Sequence, residues 1–227
     1  MEFSESNNRI DIKTFIPGKI ICVGMNYKSH ILEQDGRFPE KPVLFAKSNS
    51  SIIKNGEYII YPSQTTQLDY EVELAVIIGK KMKNIPEDQV QEYIYGYTVM
   101  NDITARDLQK SEGQWFRSKS FDTFAPIGPE IILKEDLPDA QNLSLKSYVN
   151  GEMRQNSNTA DMIFKINELI SFISMSFTLE RGDLISTGTP AGVGIFMKEK
   201  KLLIPGDEIV CEIEKIGTLI NRVKADA

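Results

Sequence analysis

The chain has 227 residues, of which 41% are hydrophobic, so it can bury a sizeable core as one large domain or as one domain with a small appendage. A formal net charge of −6 and the lack of clustered Lys and Arg argue against a surface for nucleic acid or for an anionic membrane. Small molecules are therefore the expected partners.

The first eight residues, MEFSESNN, carry two Glu and no apolar core, which is typical of neither a signal peptide nor an Arg-rich transit peptide. No apolar run approaches the length of a membrane-spanning helix. Cys22 and Cys211 are far apart, each in an apolar strand-like run, and this favours two reduced, buried thiols over a disulfide. Together these features predict a cytoplasmic protein.

A short apolar strand is predicted at Lys19 to Gly24, and Asn26 is placed to cap the helical stretch that follows it. His30, the only histidine, and Glu33 lie three residues apart in this stretch, so a helix puts them on one face within reach of each other. The charged segment after them has the composition of a mobile loop. A surface histidine with an incidental glutamate neighbour is the alternative interpretation.

Further strands are predicted at 42–47 and 57–62, and the next, DYEVELAVIIG from Asp69 to Gly79, holds two carboxylates in an otherwise apolar run. Because strand side chains alternate between faces, Glu71 and Glu73 share a face that continues with apolar residues. The two carboxylates are therefore expected to line a cavity. Two anions close together in an apolar pocket repel unless one is protonated or a cation joins them, and a divalent metal is the simplest cation. An edge strand with two solvated glutamates is the alternative.

Another acidic position lies where the following strand ends. The stretch from Tyr95 to Lys110 begins with β-formers and then turns helical, with Thr104 as a possible cap. Asp102 sits at this switch, where a capping or turn aspartate is the alternative to a functional one. Arg106 and Gln109 are spaced i, i+3, so a helix places a cation and an amide on one face close to Asp102.

The segment from Ser111 to Pro129 is predicted to be a long loop, and it holds the only Trp and Lys119. Loops of this length that carry aromatic and basic residues are usually functional or ordered by packing. For the lysine, solvation at the surface is the alternative.

The C-terminal half is predicted to be mainly architectural. Asn150 and Gly151 predict a type I′ hairpin. Residues 161–177 have the apolar spacing of a long amphipathic helix whose Met and Phe belong to the core. The stretch from Arg181 to Gly194 predicts a strand followed by a loop of Thr and Gly, whose amides can approach an anionic group. Two strands around Lys215 to Gly217 close the chain.

In order and spacing, the chain resembles the fumarylacetoacetate hydrolase superfamily, above all its small single-domain acylpyruvase and oxaloacetate decarboxylase or tautomerase members. The likeness rests on six segments: VGMNYKSH with Glu33, DYEVELAVIIG, NDITARDLQ, RSKSFDTFAPIGP, STGTPAGVG and PGDEIVCEIEKIGTL. It runs from about Lys19 to Val223. It implies an α+β fold, a mixed β-roll with flanking helices, in which residues 1–18 are a short polar extension and residues 19–227 form a single catalytic domain. It also implies a homodimer.

Carried over residue by residue, the resemblance implies a Mg²⁺ or Mn²⁺ site made of Glu71, Glu73 and Asp102, which agrees with the oxygen ligands that these ions prefer. It implies that His30 and Glu33 form an acid/base pair on a segment that closes over substrate, with Lys119 as the active-site lysine. The implied substrate-contacting positions are Arg106, Gln109, Lys47 and Thr189. Met25 and Ser48 depart from the residues common in close relatives, at the edge of the site that sets substrate preference.

The resemblance also implies that a 2-keto acid chelates the metal and that reaction passes through a pyruvate enolate. Three reactions fit: acylpyruvate hydrolysis, oxaloacetate decarboxylation and keto–enol tautomerisation, and the residues do not rank them. One alternative is an isomerase or decarboxylase of a longer dienoic diacid from aromatic catabolism. Another is a non-enzymatic protein that binds a divalent metal or a 2-keto acid, which would leave His30, Glu33 and Lys119 without a role.

Overall fold

The computed structural model describes residues 9–10 and 12–226. The prediction that the chain has no targeting signal relied on residues 1–8, which lie outside the described residues. The described strands are β1 (Arg9–Ile10), β2 (Ile20–Gly24), β3 (Val43–Lys47), β4 (Ile52–Lys54), β5 (Tyr58–Tyr61), β6 (Leu68–Asp69), β7 (Val72–Ile78), β8 (Ile94–Asn101), β9 (Thr104–Ala105), β10 (Ala125–Leu133), β11 (Ser144–Val149), β12 (Glu152–Asn158), β13 (Leu184–Ser186), β14 (Glu208–Ile213) and β15 (Gly217–Ala225). The described α-helices are α1 (Lys28–Glu33), α2 (Arg106–Glu112), α3 (Phe116–Lys119) and α4 (Ile166–Ser176). Short 3₁₀ helices lie at Ile12–Thr14, Asn49–Ser51, Glu87–Tyr93, Thr159–Asp161 and Gly194–Phe196.

Over the described residues, the strands form two large sheets and one short ladder. The larger sheet has the order β1-β10-β8-β7-β13-β2-β3, with β4 beside β10, and the second has the order β12-β11-β14-β15-β5. β6 pairs with β9. Both large sheets are mixed, because β13 runs parallel to β2 and β15 runs parallel to β5 among otherwise mainly antiparallel neighbours. The sheets curl into a half-barrel, which confirms the predicted α+β fold with a mixed β-roll.

The central strand β7 is buried on both faces, as its alternation predicted. Val72, Leu74, Val76 and Ile78 belong to the main core cluster, and Ala75 and Ile77 belong to a second cluster on the opposite face. A solvated edge strand is therefore excluded. The 3₁₀ helix at Ile12–Thr14 and Phe15 also pack into the second cluster, so the described part of the predicted 1–18 extension contacts the domain.

The predicted cap at Asn26 is wrong, and the same residue explains why α4 is shorter than predicted. Helix α1 begins after Tyr27 without a side-chain cap. The Asn26 amide instead donates to the carbonyls of Thr187 (2.8 Å) and Phe164 (3.1 Å), and its Oδ1 accepts from the Phe164 N–H (2.8 Å). These bonds hold the backbone of 162–164 outside the helix, which begins only at Ile166.

The prediction that the Met and Phe residues of 161–177 belong to the core is correct at the start of this segment and wrong at its end. Met162 and Phe164 are buried, whereas Met175 and Phe177 are exposed. The apolar side chains of the first turns of α4 belong to the main core cluster, whereas its last three residues, which end at Ser176, do not. The helix packs against the 3₁₀ helix at Glu87–Tyr93.

Two more local predictions differ from the structure. Thr104 does not cap α2, because it lies in β9 and its hydroxyl donates to the carbonyl of Asp102 (3.0 Å). The predicted loop from Ser111 to Pro129 contains α3 and the start of β10. The lysine that the loop was expected to carry is therefore the last residue of a short helix.

Other expectations are confirmed. Asn150 and Gly151 both have positive φ (51° and 79°) between β11 and β12, as a type I′ turn requires. Cys22 and Cys211 are free and buried. Among the described residues, no helix has both the length and the apolar character that crossing a membrane requires.

Candidate metal centre and active site

Two adjacent strands bring three carboxylates together, and we call Glu71, Glu73 and Asp102 the acidic triad. β7 and β8 are antiparallel neighbours with Val72 opposite Asn101, so the start of one strand meets the end of the other. The Asp102 N–H donates to the carbonyl of Glu71 (2.9 Å), which fixes the two chain segments together. One oxygen from each triad carboxylate lies within 4.8 Å of the others, and all three residues are buried.

Three cations surround the acidic triad. The Lys119 ammonium, at the end of α3, donates to Glu71 Oε2 and to Asp102 Oδ2, both at 2.7 Å. Arg106, the first residue of α2, places Nη2 2.6 Å from Glu71 Oε1. Lys47, the last residue of β3, donates to Asp102 Oδ1 (2.5 Å) and to the carbonyl of Ile103 (3.1 Å).

The pKa values of Glu71 and Glu73 are shifted in opposite directions. Burial alone would raise the pKa of Glu71, but Lys119 and Arg106 outweigh burial and lower it. Burial raises the pKa of Glu73 to about 8, and the nearby carboxylates of Asp102 and Glu71 add to the rise. Glu73 Oε2 accepts from Ser186 Oγ (2.5 Å) and from the Gly188 N–H (2.9 Å). Within the described residues no donor reaches Glu73 Oε1.

The acidic triad fits a hard divalent cation. The donor set is made only of carboxylate oxygens, the ligands that Mg²⁺ and Mn²⁺ prefer. One triad oxygen, Glu73 Oε1, lacks a donor among the described residues, and burial together with the charges of Asp102 and Glu71 raises the pKa of the side chain that carries it. A cation bound there would offset the repulsion among the three carboxylates.

His30 and Glu33 form a second group, which we call the dyad. His30 Nδ1 lies 2.6 Å from Glu33 Oε1 across one turn of α1. Glu33 Oε2 accepts from the Gly192 N–H (2.8 Å), in the loop after β13, so the carboxylate is fixed from both sides. An ionised Glu33 favours the tautomer with the proton on Nδ1, which leaves Nε2 as the ring nitrogen that can accept a proton.

Two carboxylates of the acidic triad and the ring of the dyad open into one cavity of about 890 Å³. Of the predicted catalytic, metal-ligand and substrate-contacting residues, those that line it are His30, Glu71, Glu73, Arg106, Gln109, Lys119 and Thr189. Met25 also lines the cavity, whereas Ser48 does not. Glu33 reaches the cavity through His30. Phe196 lies edge-on to the His30 ring, with 5.9 Å between ring centroids, and covers that side of the cavity.

The structure places the four predicted substrate-contacting residues differently. Arg106 Nη1 donates to Gln109 Oε1 (3.1 Å), so these two form one polar surface of the cavity. The Thr189 hydroxyl donates to the carbonyl of Val72 (2.9 Å) and accepts from Gln155 Nε2 (2.8 Å), so it fixes the loop to β7. Lys47 is fully buried behind Asp102 and is not among the cavity-lining residues.

Sequence reasoning missed Asp69 as a part of the site. This fully buried carboxylate accepts from Arg106 Nε (2.9 Å), from the Gly194 N–H (2.8 Å) and from the Ile195 N–H (3.0 Å). A Cβ on Gly194 would lie 2.7 Å from Asp69 Oδ1 and 2.5 Å from the carbonyl of Lys201, so only glycine fits there. Asp69 therefore joins the Arg106 guanidinium to the turn that carries Phe196. The alternation Asp69, Glu71, Glu73 was the available signal.

Replacing Asp69 with asparagine is expected to lower the free energy of unfolding by about 1–3 kcal/mol, since an amide nitrogen would face two N–H donors in a buried site. Urea denaturation measures the change. Asp139→Asn is the matched control, because that side chain is exposed and accepts only from the Gln141 N–H. Equal stability of the two variants would show that the buried carboxylate does not hold the Arg106 side chain and the turn.

Comparisons with known proteins agree with this geometry. The sequence profile of the fumarylacetoacetate (FAA) hydrolase C-terminal family matches residues 19–224. An uncharacterised protein of Methanocaldococcus jannaschii is 53% identical over 215 residues, which cover 95% of this chain and 86% of that protein. Oxaloacetate tautomerase Fahd2a, mitochondrial, of Rattus norvegicus is 47% identical over 208 residues, 91% of this chain. The aligned part covers 66% of the rat protein, so the chain spans slightly less than two thirds of that relative's length.

A solved structure shows the same fold. The crystal structure of 2-hydroxyhepta-2,4-diene-1,7-dioate isomerase from Mycobacterium marinum is similar with a TM-score of 0.83 and 38% sequence identity. The match covers 94% of this chain and 77% of that one. The likeness therefore extends over nearly all of the described fold, including both strands that carry the acidic triad.

Proposed function

The chain belongs to the fumarylacetoacetate hydrolase family, and on that basis we propose that it is a divalent-metal-dependent enzyme that acts on small 2-keto acids. One observation carries the proposal: Glu71 and Glu73 of the acidic triad line the same cavity as the His30 ring of the dyad, with the Asp102 carboxylate directly behind them. A metal-binding protein without catalysis would need the triad alone. The paired imidazole and carboxylate beside it supply a group that can move a proton.

We propose that Glu71, Glu73 and Asp102 hold Mg²⁺ or Mn²⁺. Such a cation would act as a Lewis acid that polarises the carboxylate and keto oxygens of a 2-keto acid, which makes the hydrogens on C3 more acidic. The all-oxygen donor set supports this assignment, and so does the position of Glu73 Oε1 without a donor among the described residues.

Lys119 and Arg106 supply fixed positive charge. Burial alone would lower the pKa of Lys119, but Asp102 and Glu71 outweigh it and raise the pKa, so this side chain acts as a cation and not as a base. Two of its three N–H groups are used by the triad, and the third is available to the oxygen that gains negative charge in the reaction. One preorganised donor of this kind typically contributes ~3 kcal/mol to the transition state. Arg106 lines the cavity, and the second N–H of its Nη1 can bind a substrate carboxylate.

The dyad would move the proton. With Glu33 holding the proton of His30 on Nδ1, Nε2 takes a proton from C3 of the keto acid. The electron pair of that C–H bond forms the C2=C3 double bond, the π pair of the C=O bond moves to the keto oxygen, and protonation of this oxygen gives the enol. In the reverse direction the enol loses its O–H proton, the C=O bond forms again and C3 takes a proton from Nε2. Hydrolysis of an acylpyruvate would use the same nitrogen to remove a proton from water.

Among the three reactions, we propose keto–enol tautomerisation of an oxaloacetate-like substrate as the main one. The name of the rat relative supports this choice, since that protein is 47% identical to the chain. A second candidate is isomerisation of a longer dienoic diacid, which the name of the Mycobacterium marinum isomerase supports. Both reactions move a proton between an oxygen and a carbon, so both use the dyad in the same way.

Three steady-state assays on one preparation with Mg²⁺ test the proposal. They are the disappearance of enol absorbance with oxaloacetate, and pyruvate release from oxaloacetate and from acetylpyruvate. We expect the highest kcat/KM in the enol assay. Faster pyruvate release would assign the site to decarboxylation or hydrolysis, and no turnover of any 2-keto acid would contradict the proposed function.

We also propose that the protein forms a homodimer, which the family resemblance supports. Light scattering at micromolar concentration is expected to give a mass close to twice 25.7 kDa, constant over a tenfold dilution. A mass near 25.7 kDa would contradict the dimer. We further propose a cytoplasmic location, which the polar first eight residues and the two free cysteines support; the name of the rat relative places that protein in mitochondria.

A further inference from the structure

Two aromatic side chains form one side of the cavity, and we call Phe45 and Trp115 the aromatic wall. Phe45 lies on β3, and Trp115 precedes α3. Their rings meet edge to face, with centroids 5.4 Å apart and an interplanar angle of 72°. Both residues line the cavity, as does Val23 beside them. This arrangement of rings offers apolar contact area of fixed shape.

A glycine fixes the position of the indole. A Cβ on Gly24 would lie 2.5 Å from Cζ3 of Trp115 and 3.0 Å from its Cη2, closer than real Cβ contacts come. The indole therefore packs directly on the backbone of β2. Any larger residue at position 24 would push the ring away from this backbone and change the shape of the wall.

The aromatic wall begins next to the reacting centre. The Lys119 ammonium, which contacts two carboxylates of the acidic triad, lies 5.0 Å from the centroid of Phe45. The Lys119 N–H also donates to the carbonyl of Trp115 (3.1 Å), so the lysine and the indole are carried by one helical turn. A 2-keto acid with its head at the triad would therefore place atoms beyond C4 along the wall.

The cavity is much larger than the head group needs. Cavities of ~300–1,000 Å³ hold drug-sized ligands, and the 890 Å³ here lies near the top of that range. A C4 diacid with nine non-hydrogen atoms fills only a small part of it. We propose that the aromatic wall is a subsite for an apolar group beyond C4, so that among 2,4-diketo acids the site favours those with an apolar acyl chain of several carbons. This inference rests on the proposed function and extends it to the substrate.

The test compares kcat/KM for three 2,4-diketo acids: acetylpyruvate, its longer n-alkyl homologue with four more methylenes, and a diacid of the same length. Burial of a methylene favours binding by roughly fourfold, so four fully buried methylenes would give roughly 250-fold. With two or three of the four buried against the wall, we expect a preference of ~10- to 100-fold for the alkyl homologue over acetylpyruvate. Trp115→Ala and Gly24→Ala are expected to bring this ratio close to one, whatever the absolute rates. Phe116→Ala is the matched control, because this neighbouring ring is exposed and does not line the cavity.

Binding provides a second readout, since Trp115 is the only tryptophan. A long alkyl 2-keto acid such as 2-oxooctanoate is expected to change the tryptophan emission at a Kd at least tenfold below that of pyruvate. Three results would overturn the subsite while leaving the proposed function in place. They are a kcat/KM ratio of alkyl homologue to acetylpyruvate near one in the unmodified protein, the same ratio unchanged in Trp115→Ala, or a preference for the diacid. A lack of turnover with every 2-keto acid would overturn the proposed function, and the subsite with it.

Discussion

Removal of divalent cations with a chelator is expected to lower the turnover of 2-keto acids by at least about 10³-fold, and added Mg²⁺ or Mn²⁺ is expected to restore it. The reason is that Lewis-acid stabilisation contributes several kcal/mol to the transition state, and each 1.36 kcal/mol corresponds to about tenfold in rate. Zn²⁺ should restore less activity, because no Cys or His belongs to the acidic triad. Steady-state rates on protein shown to be metal-free by elemental analysis give the answer. Full turnover by such a preparation would exclude the metal site from the reaction.

The Glu73→Gln variant is expected to weaken metal binding without lowering the stability of the metal-free fold. Since the pKa of Glu73 is raised to about 8, the metal-free protein already carries a largely protonated side chain at neutral pH, and glutamine has the same shape. The glutamine oxygen can still accept from Ser186 Oγ and from the Gly188 N–H. The metal-free variant should therefore unfold at a temperature equal to or above that of the parent protein.

Mg²⁺ should affect the two proteins differently. A ligand that binds only the folded state stabilises it by about 2.7 kcal/mol at a hundredfold excess over its Kd, so the parent protein should show a rise in Tm that Glu73→Gln loses. Glu92→Gln, on the exposed side of the 3₁₀ helix at Glu87–Tyr93, should keep the full rise. An unchanged Mg²⁺-induced shift in Glu73→Gln would remove this residue from the ligand set.

The acidic triad could be predicted from the sequence because strand alternation is a local property. Glu71 and Glu73 share a face whatever the sheet contains, and the apolar residues after them indicated burial. That Asp102 lies beside them depends on the pairing of β7 with β8, which strand alternation does not predict. The family resemblance implied the set of three residues, and the structure brings their carboxylates within 4.8 Å of one another.

Contacts between distant segments could not be predicted in this way. Asn26 has the local signature of a helix cap, but its amide is used by residues 164 and 187, and no local pattern contains that information. Asp69 likewise acts on a turn 125 residues away. Lys47 was expected to contact substrate, yet its position at the end of β3 directs its ammonium to Asp102. Buried polar side chains satisfy partners that the fold supplies, so their partners become visible only in three dimensions.

The Glu33→Gln variant is expected to lower tautomerisation and acylpyruvate hydrolysis by ~10²- to 10⁴-fold, as is typical for the loss of a general base. The structure gives the reason. To keep the bond from the Gly192 N–H, the glutamine must turn its oxygen toward Gly192 and its NH₂ toward His30 Nδ1. The imidazole would then accept at Nδ1 and carry its proton on Nε2, which is the wrong tautomer for a base facing the cavity.

Decarboxylation of oxaloacetate should respond differently to the same variant, because that reaction releases carbon dioxide and needs no base to remove a proton from C3 or from water. We expect a loss of less than about tenfold in pyruvate release from oxaloacetate, against the ~10²-fold or larger losses in the other two assays. Glu40→Gln, an exposed change on the loop after α1, should leave all three rates unaltered. Glu73→Gln should depress all three together, because it weakens the site that every reaction shares. If Glu33→Gln lowers decarboxylation as much as tautomerisation, the dyad does not act as the base, and its contact with Gly192 serves to hold the cavity closed.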